Sequence, residues 1–409
     1  MFAKSCGPQE KTMNIKKLLA IAIFISLLIT GCGNKPSRNV KVAFSVPLGT
    51  TYGQDSLHVV EMALNKANGK AGPYNVELMV LSETEPNSES ISTPLVVHNA
   101  EEAAKDPSVV GWIGPDSSRT AKEIIPILNR ASITMISGSN TWPGLTKPGY
   151  ELGEPGIYYP TGQRTYFRTV ASDEVQGAAA ARWIQKLGYQ KVYIIYGEDV
   201  YGKGVAGVFE ITAKDIGLGI VGKSGFTTEG ELSPALTQNL VTDALNTNPD
   251  IIFLAGSVGS NAENVILAIR QANATIPLMG PDGIAVDDIL ALLEKDQLEN
   301  IYGTVVAIPP ANLDTPAARD FVRSYQNEYG KIPSSYDGAI YEAFNVLLYA
   351  IGRAEQPTRE AVFASMQNLG EYSGIFGTWH FDLQGDISPS AIGGMKIVDG
   401  AWTFLETLK

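Results

Sequence analysis

Residues 109–136, VVGWIGPDSSRTAKEIIPILNRASITMI, combine a short apolar run, a longer segment with helical spacing and a second apolar run. The runs Val109–Ile113 and Ile133–Ile136 predict buried strands, and Ser118–Asn129 between them predicts a helix. A strand, a helix and a second strand in this order form a βαβ unit with parallel strands. Because parallel sheets are covered by helices on both faces, this stretch predicts an α/β domain.

The same alternation extends in both directions from this stretch. Before it, the predicted strands are 41–47 and 74–81, and the predicted helices are 53–68 and 90–105. An irregular stretch rich in Gly, Pro and aromatic residues, Ser137–Gln163, interrupts the pattern, and a loop of this length is usually functional or a domain junction. The alternation then starts again. The later predicted helices are 174–187, 201–216, 234–246, 262–273, 315–329 and 336–354, and the later predicted strands are 191–196, 218–226, 250–254, 276–279, 378–381 and 392–398.

The N-terminal segment is typical of an exported protein. Lysines after Met13 precede an apolar run, Leu18–Ile29, that is short for a membrane span of about 20 residues. The run ends in Ile29-Thr30-Gly31-Cys32, which resembles the lipobox of bacterial lipoproteins and implies lipid attachment to Cys32. The alternative is an ordinary signal peptide with an incidental cysteine. The predicted segments are a start-site artefact at 1–12, a signal peptide at 13–31 and a tether at 32–39.

Composition and motif content disfavour several function classes. The net charge of −12 argues against nucleic acid as a partner, since phosphate binding needs a basic patch. The two cysteines, Cys6 and Cys32, both lie in the N-terminal segment, and the three histidines lack metal-ligand spacing. The GxGxxG at 202–207 starts too far after its predicted strand for a dinucleotide site. The sequence therefore predicts no metal, no cofactor and no catalysis.

Five motifs in order resemble the leucine/isoleucine/valine-binding protein family, the type I periplasmic substrate-binding proteins of ABC transporters. They are Ile113–Ser118, Ile136–Thr141, Phe167–Gly177, Asp199–Gly204 and Met279–Gly283. The resemblance covers Val40–Lys409 and implies two doubly wound parallel-sheet lobes joined by three hinge crossovers, near 169–170, 308–309 and 376–377. The implied lobes are 40–169 plus 309–376 for the first and 170–308 plus 377–409 for the second.

Two polar segments after strands of the first lobe are candidate ligand-binding residues. Ser118 stands at a strand-to-helix junction, where free backbone N–H groups favour an anion, although a serine there can equally be a simple helix cap. The resemblance gives Ser118 a role in binding the ligand carboxylate. It gives Thr141 a hydroxyl role and Ser139 or Asn140 a backbone role, whereas the residues alone are also an ordinary turn.

An acid and three tyrosines complete the predicted site. Asp282 lies in Gly-Pro-Asp-Gly after a strand, and the resemblance implies that it pairs the ligand ammonium, although the sequence alone also suits a turn. Tyr52 and Tyr201 fall at the family's aromatic wall positions, and Tyr336 is a further candidate, although a single aromatic is more often core.

The resemblance implies an extracytoplasmic, monomeric lipoprotein anchored through Cys32. It would capture an amino acid, branched-chain or related, by hinge closure and deliver it to an ABC permease. The alternatives are a receptor for an amide, urea or aromatic acid, a ligand sensor on the same fold, an enzyme of nucleotide type, and a structural surface lipoprotein.

Overall fold

A computed structural model of the chain describes residues 1–3, 7 and 38–408. The predicted signal peptide, Cys6, the lipidation site Cys32 and most of the tether lie outside the described residues. In the described part, no helix combines the length and apolar character that crossing a membrane requires.

Residues 38–408 contain three sheets, two of them mainly parallel and covered by helices, and a small antiparallel one. The strands are β1 Asn39–Val46, β2 Lys70–Ala71, β3 Tyr74–Ser82, β4 Val109–Ile113, β5 Thr134–Ser137, β6 Tyr166–Arg168, β7 Lys191–Gly197, β8 Gly219–Phe226, β9 Ile251–Ala255, β10 Leu278–Gly280, β11 Ile301–Val305, β12 Tyr372–Gly374, β13 Gly377–Phe381, β14 Ile387–Ser388, β15 Ile392–Val398 and β16 Ala401–Leu408. The α-helices are α1 Thr51–Lys66, α2 Thr93–Lys105, α3 Ser118–Arg130, α4 Asp173–Lys186, α5 Val200–Asp215, α6 Pro234–Asn246, α7 Ala262–Ala272, α8 Asp288–Leu292, α9 Pro316–Tyr329, α10 Ser335–Arg353 and α11 Arg359–Gln367.

The first sheet has the order β2-β3-β1-β4-β5-β6, and the second has the order β16-β15-β11-β10-β9-β7-β8. All neighbours in the first sheet are parallel except β2 and β3, and in the second only the pairs made by β15 are antiparallel. The predicted α/β class with mainly parallel sheets is therefore confirmed. We call the first sheet with its packed helices the first lobe and the second sheet with its helices the second lobe.

Each sheet is buried by helices on both faces, as parallel strands require. In the first lobe, α1 and α10 pack on one face of the sheet, and α2 and α3 pack on the other. In the second lobe, α4 and α5 cover one face, and α6 and α7 cover the other.

The chain passes between the lobes three times. It leaves the first sheet after β6, returns after β11 to form α9–α11, and enters the second sheet again at β15. The resemblance implies a third crossover near 376–377, but Trp379 and Ile387 pack in the core of the first lobe. Trp379 is held there by a 2.6 Å hydrogen bond to the buried carboxylate of Glu342 on α10. We therefore propose that the third crossover lies between β14 and β15.

Candidate functional site

The candidate site lies where the carboxyl ends of the strands of both lobes face each other, the usual position of a ligand in open α/β sheets. Four of the helices that start at this edge are each capped by the side chain before their first residue. The capping side chains and the residues whose backbone N–H they accept are Thr50 from Gly53, Ser117 from Arg119, Asp199 from Gly202 and Ser334 from Asp337. The caps fix the first turns, and these turns carry Tyr52, Ser118, Tyr201 and Tyr336.

The cap of α5 explains the first glycine of the GxGxxG pattern in the sequence. Gly202 donates its N–H to Asp199 at 2.7 Å, and a Cβ atom at Gly202 would lie only 2.4 Å from the carbonyl oxygen of Gly197. Gly202 therefore lets α5 start tightly against the end of β7.

Ser118 is not the cap of α3, because Ser117 takes that role. The hydroxyl oxygen of Ser118 instead accepts the backbone N–H groups of Thr141 and Trp142, both at 3.2 Å. Since the oxygen accepts in both contacts, its own proton is not used in either. Ser118 thus joins the two polar loops of the first lobe and keeps one donor.

Asn140 and Ser139 hold the loop after β4 in place. The buried side-chain amide of Asn140 donates to the carbonyl oxygens of Pro115 at 2.9 Å and Asp116 at 2.7 Å. The hydroxyl of Ser139 donates to the same Asp116 carbonyl at 2.9 Å. Both side chains are therefore committed to loop structure.

Asp282 and the three predicted tyrosines form one group at the cleft. The Tyr201 hydroxyl donates to Asp282 Oδ1 at 2.6 Å and accepts the N–H of Gly283 at 3.1 Å. The Tyr336 hydroxyl donates to the other carboxylate oxygen. The Tyr52 ring packs edge-on against Tyr336, with 5.7 Å between ring centroids. Asp282 is 2% exposed, and this burial raises the pKa of its carboxyl group.

Asp173 is a site residue that the sequence did not single out. It is the first residue of α4, it is completely buried, and neither of its carboxylate oxygens makes a hydrogen bond of normal geometry among the described residues, although the nearby Thr141 hydroxyl acts to lower its pKa. Its backbone N–H donates to the carbonyl oxygen of Thr141 at 2.9 Å, which places it beside the polar loops. Burial and the nearby negative charge of Asp282 raise the pKa of Asp173 to about 8.

Contacts between the lobes surround this cleft. Tyr336, from the helix that packs in the first lobe, reaches Asp282 of the second lobe. Arg119 pairs with Glu229 at 3.2 Å across the opening. The ring of Trp142 lies against α5, because a Cβ atom at Gly204 would be only 2.6 Å from it. The lobes are thus closed on each other in this structure.

The long loop between β5 and β6 adds further contacts between the lobes. Lys147 and Tyr150 from this loop both bond the carboxylate of Glu174, the second residue of α4. Within the loop, the buried carboxylate of Glu154 accepts the indole N–H of Trp142 at 3.0 Å and pairs with Lys122 at 3.1 Å. The loop is therefore an ordered part of the cleft wall.

Two α/β lobes closed over a polar cleft define a ligand-binding protein of the two-lobed type. A family model described as "Periplasmic binding protein" matches residues 39–398, and the chain belongs to this family.

Proteins of known sequence and structure support the assignment. The chain is 24% identical over 388 residues to the Leu/Ile/Val/Thr-binding protein of Salmonella typhimurium, covering 93% of this chain and 96% of that one. It is 21% identical over 375 residues to a leucine-, isoleucine-, valine-, threonine- and alanine-binding protein of Pseudomonas aeruginosa, covering 89% and 92%. The crystal structure of a leucine-binding protein from Thermotoga maritima is similar with a TM-score of 0.76, 22% identity and coverage of 90% and 99%. A solute-binding protein of an ABC transporter from R. palustris, in complex with benzoate, has a TM-score of 0.74, 17% identity and coverage of 90% and 96%.

Proposed function

We propose that this protein is an extracytoplasmic receptor, anchored through Cys32, that captures an amino acid and delivers it to an ABC permease without catalysing a reaction. The observation that carries the proposal is the unpartnered, fully buried carboxylate of Asp173 beside the buried Asp282. Burying charge without a partner is costly, so such a pair favours a ligand that brings a positive charge. The α-ammonium of an amino acid meets that need.

The first lobe offers the complementary group for the other end of an amino acid. Ser118 keeps a hydroxyl proton at the N-terminus of α3, where backbone N–H groups and the helix dipole favour an anion. Thr141, buried in the adjoining loop, is the proposed second hydroxyl. We propose that ligand binds first to Ser118 and Thr141, and not to Asn140, whose donors hold the loop structure. The lobe bearing Tyr201 and Asp282 then closes over the ligand.

Stabilisation by ligand tests this function. The purified protein is unfolded to remove any ligand that co-purified with it, and is then refolded. Its melting temperature is measured with each of a set of amino acids, small amides, urea and aromatic acids. A ligand that binds only the native state adds about 2.7 kcal/mol of stability at a hundredfold excess over Kd. We expect one class of amino acid to raise the melting temperature. A shift only with an amide or aromatic acid would contradict the ammonium-binding role of Asp173 and Asp282.

Binding should also depend on pH through Asp173. The raised pKa of about 8 means that the empty folded protein holds this proton more tightly than the unfolded chain does, so its stability falls as pH rises from about 4 to about 8. Asp282 and Asp199 favour the protonated form, whereas the Thr141 hydroxyl and Arg168 oppose it. A bound ammonium favours the ionised form, so binding should release a proton near pH 7, and affinity should increase between about pH 6 and pH 8.

Calorimetry in buffers with different heats of ionisation measures this proton release. Asp173→Asn is expected to remove the release and flatten the pH profile, whereas the exposed Asp288→Asn should change neither. A native protein whose affinity does not vary over this pH range would show that Asp173 does not face the ammonium.

A further inference from the structure

Asp282 bonds one tyrosine from each lobe. Tyr201, on α5 of the second lobe, donates its hydroxyl proton to one carboxylate oxygen at 2.6 Å, and Tyr336, on α10 of the first lobe, donates to the other. A phenol has a single hydroxyl proton, so neither tyrosine can donate to a ligand while these bonds are made. In the closed form the two hydroxyl protons therefore act on Asp282 and not on a ligand.

Tyr336 is fixed to the first lobe on two sides. It lies in the first turn of α10, where the Ser334 hydroxyl accepts the N–H of Asp337 at 3.1 Å and the Asp337 carboxylate accepts the N–H of Ser334 at 2.7 Å. The Tyr52 ring of α1 packs edge-on against the Tyr336 ring, with 5.7 Å between the centroids. When the lobes move apart, Tyr336 therefore moves with the first lobe.

Asp282 is fixed to the second lobe. It lies two residues after β10 and is 2% exposed. The next residue, Gly283, donates its N–H to the Tyr201 hydroxyl oxygen at 3.1 Å, and its carbonyl oxygen accepts the N–H of Val258 at 2.9 Å. Both partners belong to the second lobe, so the carboxylate of Asp282 moves with that lobe.

The bond between Tyr336 and Asp282 can therefore exist only while the lobes are closed. An O–H···O hydrogen bond spans about 2.5–3.0 Å, so separating the two groups by about 1 Å breaks it. A hydrogen bond to a charged group is stronger than one between neutral groups, and a buried position strengthens it further. This contact favours the closed form and uses no atom of a ligand.

We propose that Tyr336 is a positioning residue that holds the two lobes closed through Asp282, whichever ligand occupies the cleft. The bond joins protein atoms only, so this role goes beyond the proposed function and does not depend on it. One hydrogen bond to a buried carboxylate corresponds to a change of about tenfold in the ratio of closed to open protein.

Spin labels at the mouth of the cleft measure this ratio. Glu123 and Glu231 are exposed, and they lie close in sequence to Arg119 and Glu229, which pair at 3.2 Å across the opening. Labels are attached to Glu123→Cys and Glu231→Cys in the full-length chain in detergent, with both cysteines of the natural sequence replaced by serine. Pulsed electron paramagnetic resonance then separates a short distance in the closed form from a longer one in the open form.

Tyr336→Phe keeps the ring and removes only the hydroxyl group. We expect the ratio of closed to open protein to fall about tenfold, both in the empty protein and with a mixture of leucine, isoleucine, valine and threonine. Tyr349→Phe, an exposed position on the same helix, is the matched control and should leave the ratio unchanged. In an Asp282→Ala background, Tyr336→Phe should have no further effect, because the partner of the hydroxyl is already absent.

The outcomes decide the role of Tyr336 separately from the proposed function. Equal ratios with and without the Tyr336 hydroxyl, or no closed population under either condition, would overturn the proposal. So would a tenfold fall that persists in the Asp282→Ala background, since the hydroxyl would then act through another contact. If the ratio falls as expected but the four amino acids do not change it, the role of Tyr336 is supported and the proposed function is not.

Discussion

Asp282→Ala is expected to weaken amino-acid binding by about 100-fold or more while the protein stays folded. The ligand ammonium would then be buried with Asp173 as its remaining acid, and removing one partner of a buried charge pair costs about 3–5 kcal/mol. The loss should be larger than that of either tyrosine bonded to Asp282, because a hydroxyl carries no full charge. Titration calorimetry on the variant, with folding checked by circular dichroism, gives the value.

Asp288→Ala is the matched control for this variant. It removes an exposed acid six residues along the chain and should bind like the native protein. Unchanged binding by Asp282→Ala would indicate a ligand without an ammonium, which is the behaviour expected of a receptor for an amide or aromatic acid.

Asp386→Ala is expected to lower the free energy of unfolding by about 3–5 kcal/mol. Arg168 is fully buried, and its guanidinium bonds both oxygens of Asp386, at 2.7 and 3.0 Å. It also donates to the Trp142 carbonyl at 2.9 Å and to the Thr146 hydroxyl at 2.7 Å. Without Asp386, the arginine charge stays buried with only neutral partners. Urea unfolding monitored by fluorescence measures the loss.

A double variant distinguishes a missing charge partner from general damage to this region. Replacing both members, as Arg168→Met with Asp386→Leu, removes the unpaired charge and should recover much of the stability lost in Asp386→Ala. If the double variant is as unstable as the sum of the two single variants, the stabilisation comes from the separate contacts of each residue.

Most of the fold could be predicted from the sequence because its main elements are strongly periodic. The strand and helix of residues 109–130 are found close to where the apolar runs place them. The strand Ile301–Val305 was missed, although it lies between β10 and β15 in the second sheet. It is short and contains Gly303, whose missing side chain makes room for the Cβ atom of Ala285 and the ring of Trp402. That requirement comes from tertiary packing and leaves no periodic signal.

Helix α11 and the last strand were also missed, because tertiary contacts or an edge position leave little periodic signal in their sequences. Helix α11 begins with Arg359, whose guanidinium donates to backbone carbonyls that include those of Val109 and Asp106. Such contacts join segments about 250 residues apart. The edge strand Ala401–Leu408 alternates between exposed and half-buried residues, so it lacks the apolar run of a central strand.

The site residues also divide into those that the sequence predicted and those that it missed. The structure brings Tyr52, Tyr201, Tyr336 and Asp282 into one group, and their role in binding ligand stays a prediction. Asp173 stood inside a quoted motif, but an acid at the start of a helix is common, and its importance depends on its lack of partners in the folded chain.

The unpaired carboxylate of Asp173 has a consequence for how transport is regulated. In the receptor we propose, closing the lobes without ligand forces Asp173 to take up a proton, because burial raises its pKa to about 8, and this cost favours the open form of the empty protein. A cation in the cleft removes this cost. The closed conformation therefore indicates that ligand is bound. A permease that recognises this conformation would hydrolyse little ATP on receptors without ligand.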